Sequence, residues 1–408
     1  MIDWAAELAR CTRCGACREV CPVFVLTLRE PDVARGRLAR IEAADAGGRL
    51  THADRRALTR CLQCGRCCDV CKADVRVPQI VRDAKYRSGA GMGAAQQSIT
   101  YLLADPQRLR KLTNRARQFA VALGRATADG SGMRLRFALP YLEAGRYLPK
   151  LPKQSYLSRT TGRAAGGGKH LALFLGCGAG RIFTGVGEAL DTILASMNLT
   201  AAVPEQACCG LPAWGMGADD AAREALANFL TAFGEESIET ILSPCASCTA
   251  MLQREMTEAL SDTPLADAAR MVAGKVSDVF VWLRENNFHP PHLSLRVAVH
   301  VPCHTRRGVR GGDALTPLLR ATGAQIVELP AETASNCCGM GGSFGVFHPQ
   351  ESREIGRKKM AAMLAARPDA IVTSCTGCLV QLRDLADHFG ATVPVRHGLE
   401  LLSELLSG

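Results

Sequence analysis

A chain of 408 residues, 47% of them apolar, 22% charged and 5% aromatic, is long enough for several domains. At a mean hydropathy of +0.03 it is too polar for a multi-span membrane protein. Its 49 basic and 39 acidic residues leave a formal charge of +10, and its 19 cysteines, an odd number, cannot all pair internally. No stretch approaches about 18 consecutive apolar residues, and Met1 to Glu7 brings two acids and no apolar run before Cys11. Neither a membrane span nor a secreted disulfide scaffold is expected. The expectation is a cytoplasmic protein whose thiolates are held by metal.

The first cysteines form the ladder Cys11-x2-Cys14-x2-Cys17-x3-Cys21-Pro22, and Cys61-x2-Cys64-x2-Cys67-Cys68-x2-Cys71 repeats it with one cysteine added. A C-x2-C-x2-C loop wraps three thiolates around three irons of a cubane, and the next cysteine is carried off by a helix to the other cluster. That logic gives one 4Fe–4S cluster to Cys11, Cys14, Cys17 and Cys71, and the other to Cys61, Cys64, Cys67 and Cys21. Gly15 and Gly65 suit tight loops whose amides point at cluster sulfurs. C-x2-C spacing alone also allows zinc, but zinc has no use for two copies of a four-cysteine ladder. Lys72 stands where a proline is expected. Cys68 is either a spare, packed as a small hydrophobe, or an alternative ligand.

Between the ladders, Asp32 is expected to cap a helix whose buried stripe is Ala34, Leu38 and Ile41, with Gly36 weakening it and Gly47-Gly48 ending it. From Arg108 to Arg163 there are 13 lysines and arginines against Asp129 and Glu143 alone. This segment predicts an amphipathic basic helix, then an irregular strap containing Pro140, Pro149 and Pro152. Residues 108–163 are either a solvated linker face or a docking surface for an acidic partner subunit or an anionic membrane, which leaves a peripheral place on the inner face of the membrane open. No recognition motif accompanies the charge, so nucleic acid is not expected.

The remaining ten cysteines repeat at an offset of about 130 residues: Cys177, Cys208-Cys209, Cys245-x2-Cys248, then Cys303, Cys337-Cys338, Cys375-x2-Cys378. Each unit opens with an apolar run into a cysteine (Leu171 to Cys177, Val297 to Cys303) and ends with another into C-x2-C (Thr240 to Cys245, Ala370 to Cys375). With helical stretches at Ala221–Phe233 and Glu351–Ala366, these runs read as strands of two homologous α/β units whose strand ends converge on one edge. Gly176 to Arg181 and Gly339 to Gly342 lack the full dinucleotide spacing, so no flavin is expected on this chain. His300 and His304 flank Cys303, as packing or as a proton donor near a cluster. No Ser/His/Asp set or carboxylate pair stands out, so no catalytic residue is assigned.

The order C…CCG…C-x2-C resembles the cysteine-rich "CCG" domain found in tandem in the catalytic subunit of heterodisulfide reductase. Behind a two-cluster ferredoxin, the tandem resembles the iron–sulfur subunits of glycolate oxidase and related lactate oxidoreductases, over nearly the whole chain. The resemblance implies an α+β fold: a helical ferredoxin domain at 1–87, a basic helical connector at 88–168, and CCG domains at 169–290 and 291–408. It also implies non-cubane 4Fe–4S clusters on Cys177, Cys208, Cys209, Cys245 and Cys248 and on Cys303, Cys337, Cys338, Cys375 and Cys378. The function implied is electron transfer from a separate FAD subunit, which oxidises a 2-hydroxy acid, to a quinone or another acceptor. The alternative is a subunit that reduces a disulfide at a CCG cluster.

Overall fold

The structure, a computed structural model, describes residues 4–90, 93–138, 143–167 and 170–406. Its two N-terminal ladders fold as one loop used twice. Arg13 and Gln63 both take left-handed backbone at φ 55°, and the glycine after each second cysteine follows at φ 88° (Gly15) and 70° (Gly65), where a Cβ is disfavoured. Each loop runs into a single helical turn, Cys17–Val20 or Arg66–Asp69, and the two turns pack together.

The spacer forms the expected helix, Ala34–Asp45, with Ala34, Leu38 and Ile41 buried. Its start differs. Val33 holds the cap position, while Asp32 ends a 3-10 turn and sets its carboxylate 3.5 Å from Arg60. Gly36 is no weak point either, because a Cβ there would lie 1.9 Å from the Glu30 carbonyl oxygen. Only glycine lets that turn lie on the helix. Helix Val77–Ser88 completes a small core with Leu8, Leu38, Ile41, Leu58, Val75 and Val81.

Helices Ala94–Ala104 and Pro106–Leu123 follow. In place of an irregular strap, the chain then forms an antiparallel sheet of β1 (Gly124–Ala126), β2 (Gly132–Leu135) and β3 (Tyr147–Pro149). Pro149 is tolerated because it ends an edge strand. Pro140 lies outside the described residues. Three of its half-buried bases pair with acids of the units beyond: Arg108 with Glu224, Arg134 with Asp384 (2.5 Å) and Asp387 (2.6 Å), and Arg163 with Asp191 at 2.7 Å. The segment therefore straps both cysteine-rich units, while most of its bases face solvent.

Each of those units is built on a parallel sheet. In the first, β4 (Leu171–Leu173), β5 (Thr240–Ser243) and β6 (Val276–Asp278) lie in that order, and a bridge from Ala172 to Ala202 adds a rudimentary fourth strand beyond β4. In the second, β7 (Arg296–His300) sits between β8 (Gln325–Ile326) and β9 (Ala370–Thr373), with β10 (Val395–His397) outside β9. The topologies match, as the sequence repeat requires. β4 and β5, and β7 and β9, flank the point where strand order reverses, and ligands bind in the crevice at the carboxyl ends there. Cys177, Cys245, Cys303 and Cys375 follow those four strands.

Helix Val77–Ser88 joins the ferredoxin region to the first cysteine-rich unit. Buried Arg82 lies 3.0 Å from Asp219 and 3.6 Å from Glu258, with its guanidinium carbon 3.6 Å from the Trp214 ring centre. Buried Lys85 donates to the Gly215 carbonyl at 3.0 Å. Arg82→Ala strands the Asp219 carboxylate in the interface, and a loss of about 3–5 kcal/mol is expected in denaturant unfolding of the anaerobic protein. Burial pulls the Lys85 ammonium down to about 8. Because its folded pKa lies below the unfolded value, folding gains stability as pH rises from about 8 to about 10.5, by about 3 kcal/mol for this one group. Thermal melts of Lys85→Met are expected to lose that rise.

Candidate functional site

The fold brings Cys21 of the first ladder to the second. One cavity is lined by Cys61, Cys64 and Cys67 of the second ladder and by Cys21 of the first, with Gly65 and Arg37 beside them. Cys17 lies in the field of Cys11 and Cys21, and burial together with those neighbours pushes its thiol up. The Cys71 sulfur accepts the Val75 N–H at 3.5 Å, and Cys11, Cys17 and Cys71 all border the small core. Cys68 turns its thiol to the Val75 carbonyl at 3.4 Å. Cys14 is exposed, on an open surface pocket shared with Arg18, Phe24, Val25, Leu28 and Arg35.

The two five-cysteine sets form at equivalent crevices. In the first, the Cys177 and Cys208 sulfurs are 3.8 Å apart, with Cys208, Cys209, Cys245 and Cys248 buried. In the second, the Cys338 and Cys378 sulfurs are 3.3 Å apart, with Cys337, Cys338, Cys375 and Cys378 buried. Cys245 and Cys375 hold the N-cap positions of the helices that follow them. Thiol neighbours share protons unevenly. Hydrogen bonds from Cys208 and Cys248 bring Cys209 down to about 6, whereas its contact with Cys245 pushes Cys375 up to about 12. Five converging sulfurs with so few other donors are a soft, thiolate-rich set that fits an iron–sulfur cluster and exceeds the four ligands of structural zinc.

The sites are not isolated from one another. The Cys245 and Cys375 sulfurs, equivalent positions of the repeat, lie 3.8 Å apart. Thr376 Oγ1 reaches Cys245 at 3.3 Å and Ser247 Oγ reaches Cys375 at 3.1 Å, so the two C-x2-C turns interlock. A Cβ on Gly178 would fall 2.2 Å from Thr376 Oγ1, so the glycine after Cys177 serves this packing and no dinucleotide. At the other end, half-buried Cys64 of the ferredoxin cavity lies in the field of Cys337 and Cys303. Arg307 clamps this junction. It donates to the Cys64 carbonyl and the Asp69 carboxylate, and its Cδ would lie 3.0 Å from a Cβ on Gly65. Arg307, Ser247 and Thr376 were not legible as site residues, because their roles arise only where separate units meet. His304 Nδ1 lies 3.2 Å from Ser247 Oγ, and His300 is buried on β7.

Cys338→Ser is expected to remove the iron of the second set, about four atoms per chain, and Cys209→Ser that of the first. In both variants, iron analysis and EPR of the reduced protein are expected to retain the two ferredoxin clusters.

A 4Fe-4S dicluster domain model matches residues 7–75, and a cysteine-rich (CCG) domain model matches 171–253 and again 297–383. The probable glycolate oxidase iron-sulfur subunit of Bacillus subtilis is 28% identical over 98% of this chain and 94% of its own length. Lactate utilization protein A of Bacillus velezensis is 30% identical over 57% of this chain and 98% of its own. The crystal structure of a hypothetical protein from Helicobacter pylori aligns at a TM-score of 0.50 and 10% identity, covering 92% of this chain and 68% of that one, a likeness of fold alone. With a two-cluster 4Fe–4S domain ahead of tandem cysteine-rich domains, the chain belongs to the iron–sulfur subunit family of glycolate and lactate oxidoreductases.

Proposed function

We propose that this chain is the electron-transfer subunit of a flavin-dependent 2-hydroxy-acid oxidoreductase. It takes electrons from a separate FAD subunit that oxidises glycolate, lactate or a similar acid, and passes them to a quinone or another acceptor. We assign Cys11, Cys14, Cys17 and Cys71 to one cubane, Cys21, Cys61, Cys64 and Cys67 to the other, and the two five-cysteine sets to non-cubane clusters. Oxidising a 2-hydroxy acid to the 2-oxo acid releases two electrons and two protons, and iron–sulfur clusters supply the one-electron carriers. The chain's own contribution is to space, bury and surround them.

The observation that carries this reading is that thiols of different sets meet. Cys21 joins the second ladder's cavity, Cys64 lies in the field of Cys337 and Cys303, and Cys375 lies against Cys245, which lays out a route from the ladders through the second set to the first. On this route the second cysteine-rich unit receives electrons before the first. Exposed Arg110, Lys111 and Arg115 on helix Pro106–Leu123 are offered to an acidic partner subunit or an anionic membrane surface. The facing of Cys245 and Cys375 favours a second reading, in which a substrate disulfide takes two electrons and two protons there and leaves as two thiols.

Anaerobic co-purification with the products of neighbouring genes is expected to yield bound flavin and dye reduction that depends on glycolate or lactate. Reduction of a small disulfide without a flavin partner would overturn that result in favour of the second reading. Arg307→Ala is expected to slow reduction of the second five-cysteine set, followed by rapid-freeze EPR, by about tenfold, equivalent to 1.4 kcal/mol on the barrier, with iron content unchanged.

A further inference from the structure

His300 ends β7 immediately before the loop to Cys303, and its backbone carbonyl accepts the Thr373 hydroxyl at 3.1 Å. Its side chain is 1% exposed, and neither ring nitrogen has a hydrogen-bond partner. Leaving a buried imidazole unpaired costs about 1–3 kcal/mol, so such a group calls for an occupant. One imidazole nitrogen and the sulfurs of Cys338 and Cys378 all lie within 4.8 Å of one another, an arrangement that can hold a metal ion. Beside them, fully buried Lys359 donates to the Ala334 and Asn336 carbonyls at 2.9 and 3.1 Å, and among the described residues no carboxylate pairs with it. A buried cation without a carboxylate fits a pocket that carries negative charge of its own.

The repeat supplies the comparison. His300 stands three residues before Cys303, as Phe174 stands three before Cys177. Phe174 packs edge-on against Phe229 and Phe233 at 5.2 and 5.7 Å between ring centres. The first unit thus fills this position with an apolar aromatic cluster, and the second points a nitrogen donor at two of its thiols.

We propose that His300 is a direct nitrogen ligand of the metal cluster in the second five-cysteine site, so that the two sites of the repeat are chemically unequal: sulfur with one imidazole in the second, sulfur alone in the first. The inference rests on the reading of these cysteines as cluster ligands. A neutral imidazole adds no negative charge where another thiolate would, which gives the protein a means of setting the second site's potential apart from the first.

The test uses the anaerobically purified holoprotein labelled with 15N only at histidine, studied by pulsed EPR in the Cys209→Ser background, where the first set is dismantled. The expected result is a strong 15N hyperfine coupling, of the size a coordinated imidazole gives, in the signal that Cys338→Ser removes. His300→Phe, which copies the first unit, is expected to lose that coupling, and His304→Asn to keep it. No coupling, a coupling weak enough for a mere neighbour, or one lost in His304→Asn instead would overturn the proposal, even if His300→Phe fails to fold. If Cys338→Ser removes neither iron nor signal, the cluster reading of the second site fails first, and the two failures are told apart.

Discussion

The close approach of buried Cys245 and Cys375, 3.8 Å apart, is the constraint from which the arrangement of the two cysteine-rich units follows. Cys245 and Cys375 occupy the same position in their two units, so each unit offers the same turn to the other. Their approach brings the two C-x2-C turns into contact and leaves no room for a side chain at Gly178. The link is held by groups of both halves. Ala246 N–H donates to the Ser374 carbonyl at 3.0 Å, and His397 Nε2 lies 2.9 Å from the Pro244 carbonyl.

Charge is distributed around this sulfur centre in a consistent way. Thiolate clusters make local negative centres in a low-dielectric interior, where an uncompensated charge is costly. Arg307 at the ferredoxin junction and Lys359 under the second set place cations beside them, and the basic strap ties down acids on the outer faces of both units. The formal excess of the sequence is therefore partly an internal counterweight. Arg82 plays the same part between domains, except that its partners are carboxylates and an indole face.

The ladders, the tandem repeat and the buried stripe of Ala34, Leu38 and Ile41 were readable because each rests on short-range spacing: ligand geometry in one loop, strand length, helical period. Where reading went astray, a long-range contact outweighed a local rule. Gly36 looked like a weak point in the helix, but the Glu30 carbonyl occupies the space a side chain there would need. Asp32 looked like a cap but is drawn to Arg60, and a proline-bearing strap became a sheet because Pro149 falls at an edge. Arg307 carried no local signal at all.

By itself, then, the amino-acid order determined which residues are donors, how they divide into two ladders and two five-cysteine sets, and which strands deliver them, since all of these are set within a few residues along the chain. Tertiary structure alone decided which set faces which: Cys64 toward the second unit and Cys375 onto Cys245. Those relations join residues some 130 to 270 positions apart, and such pairs are chosen by the packing of whole domains, for which local spacing carries no information.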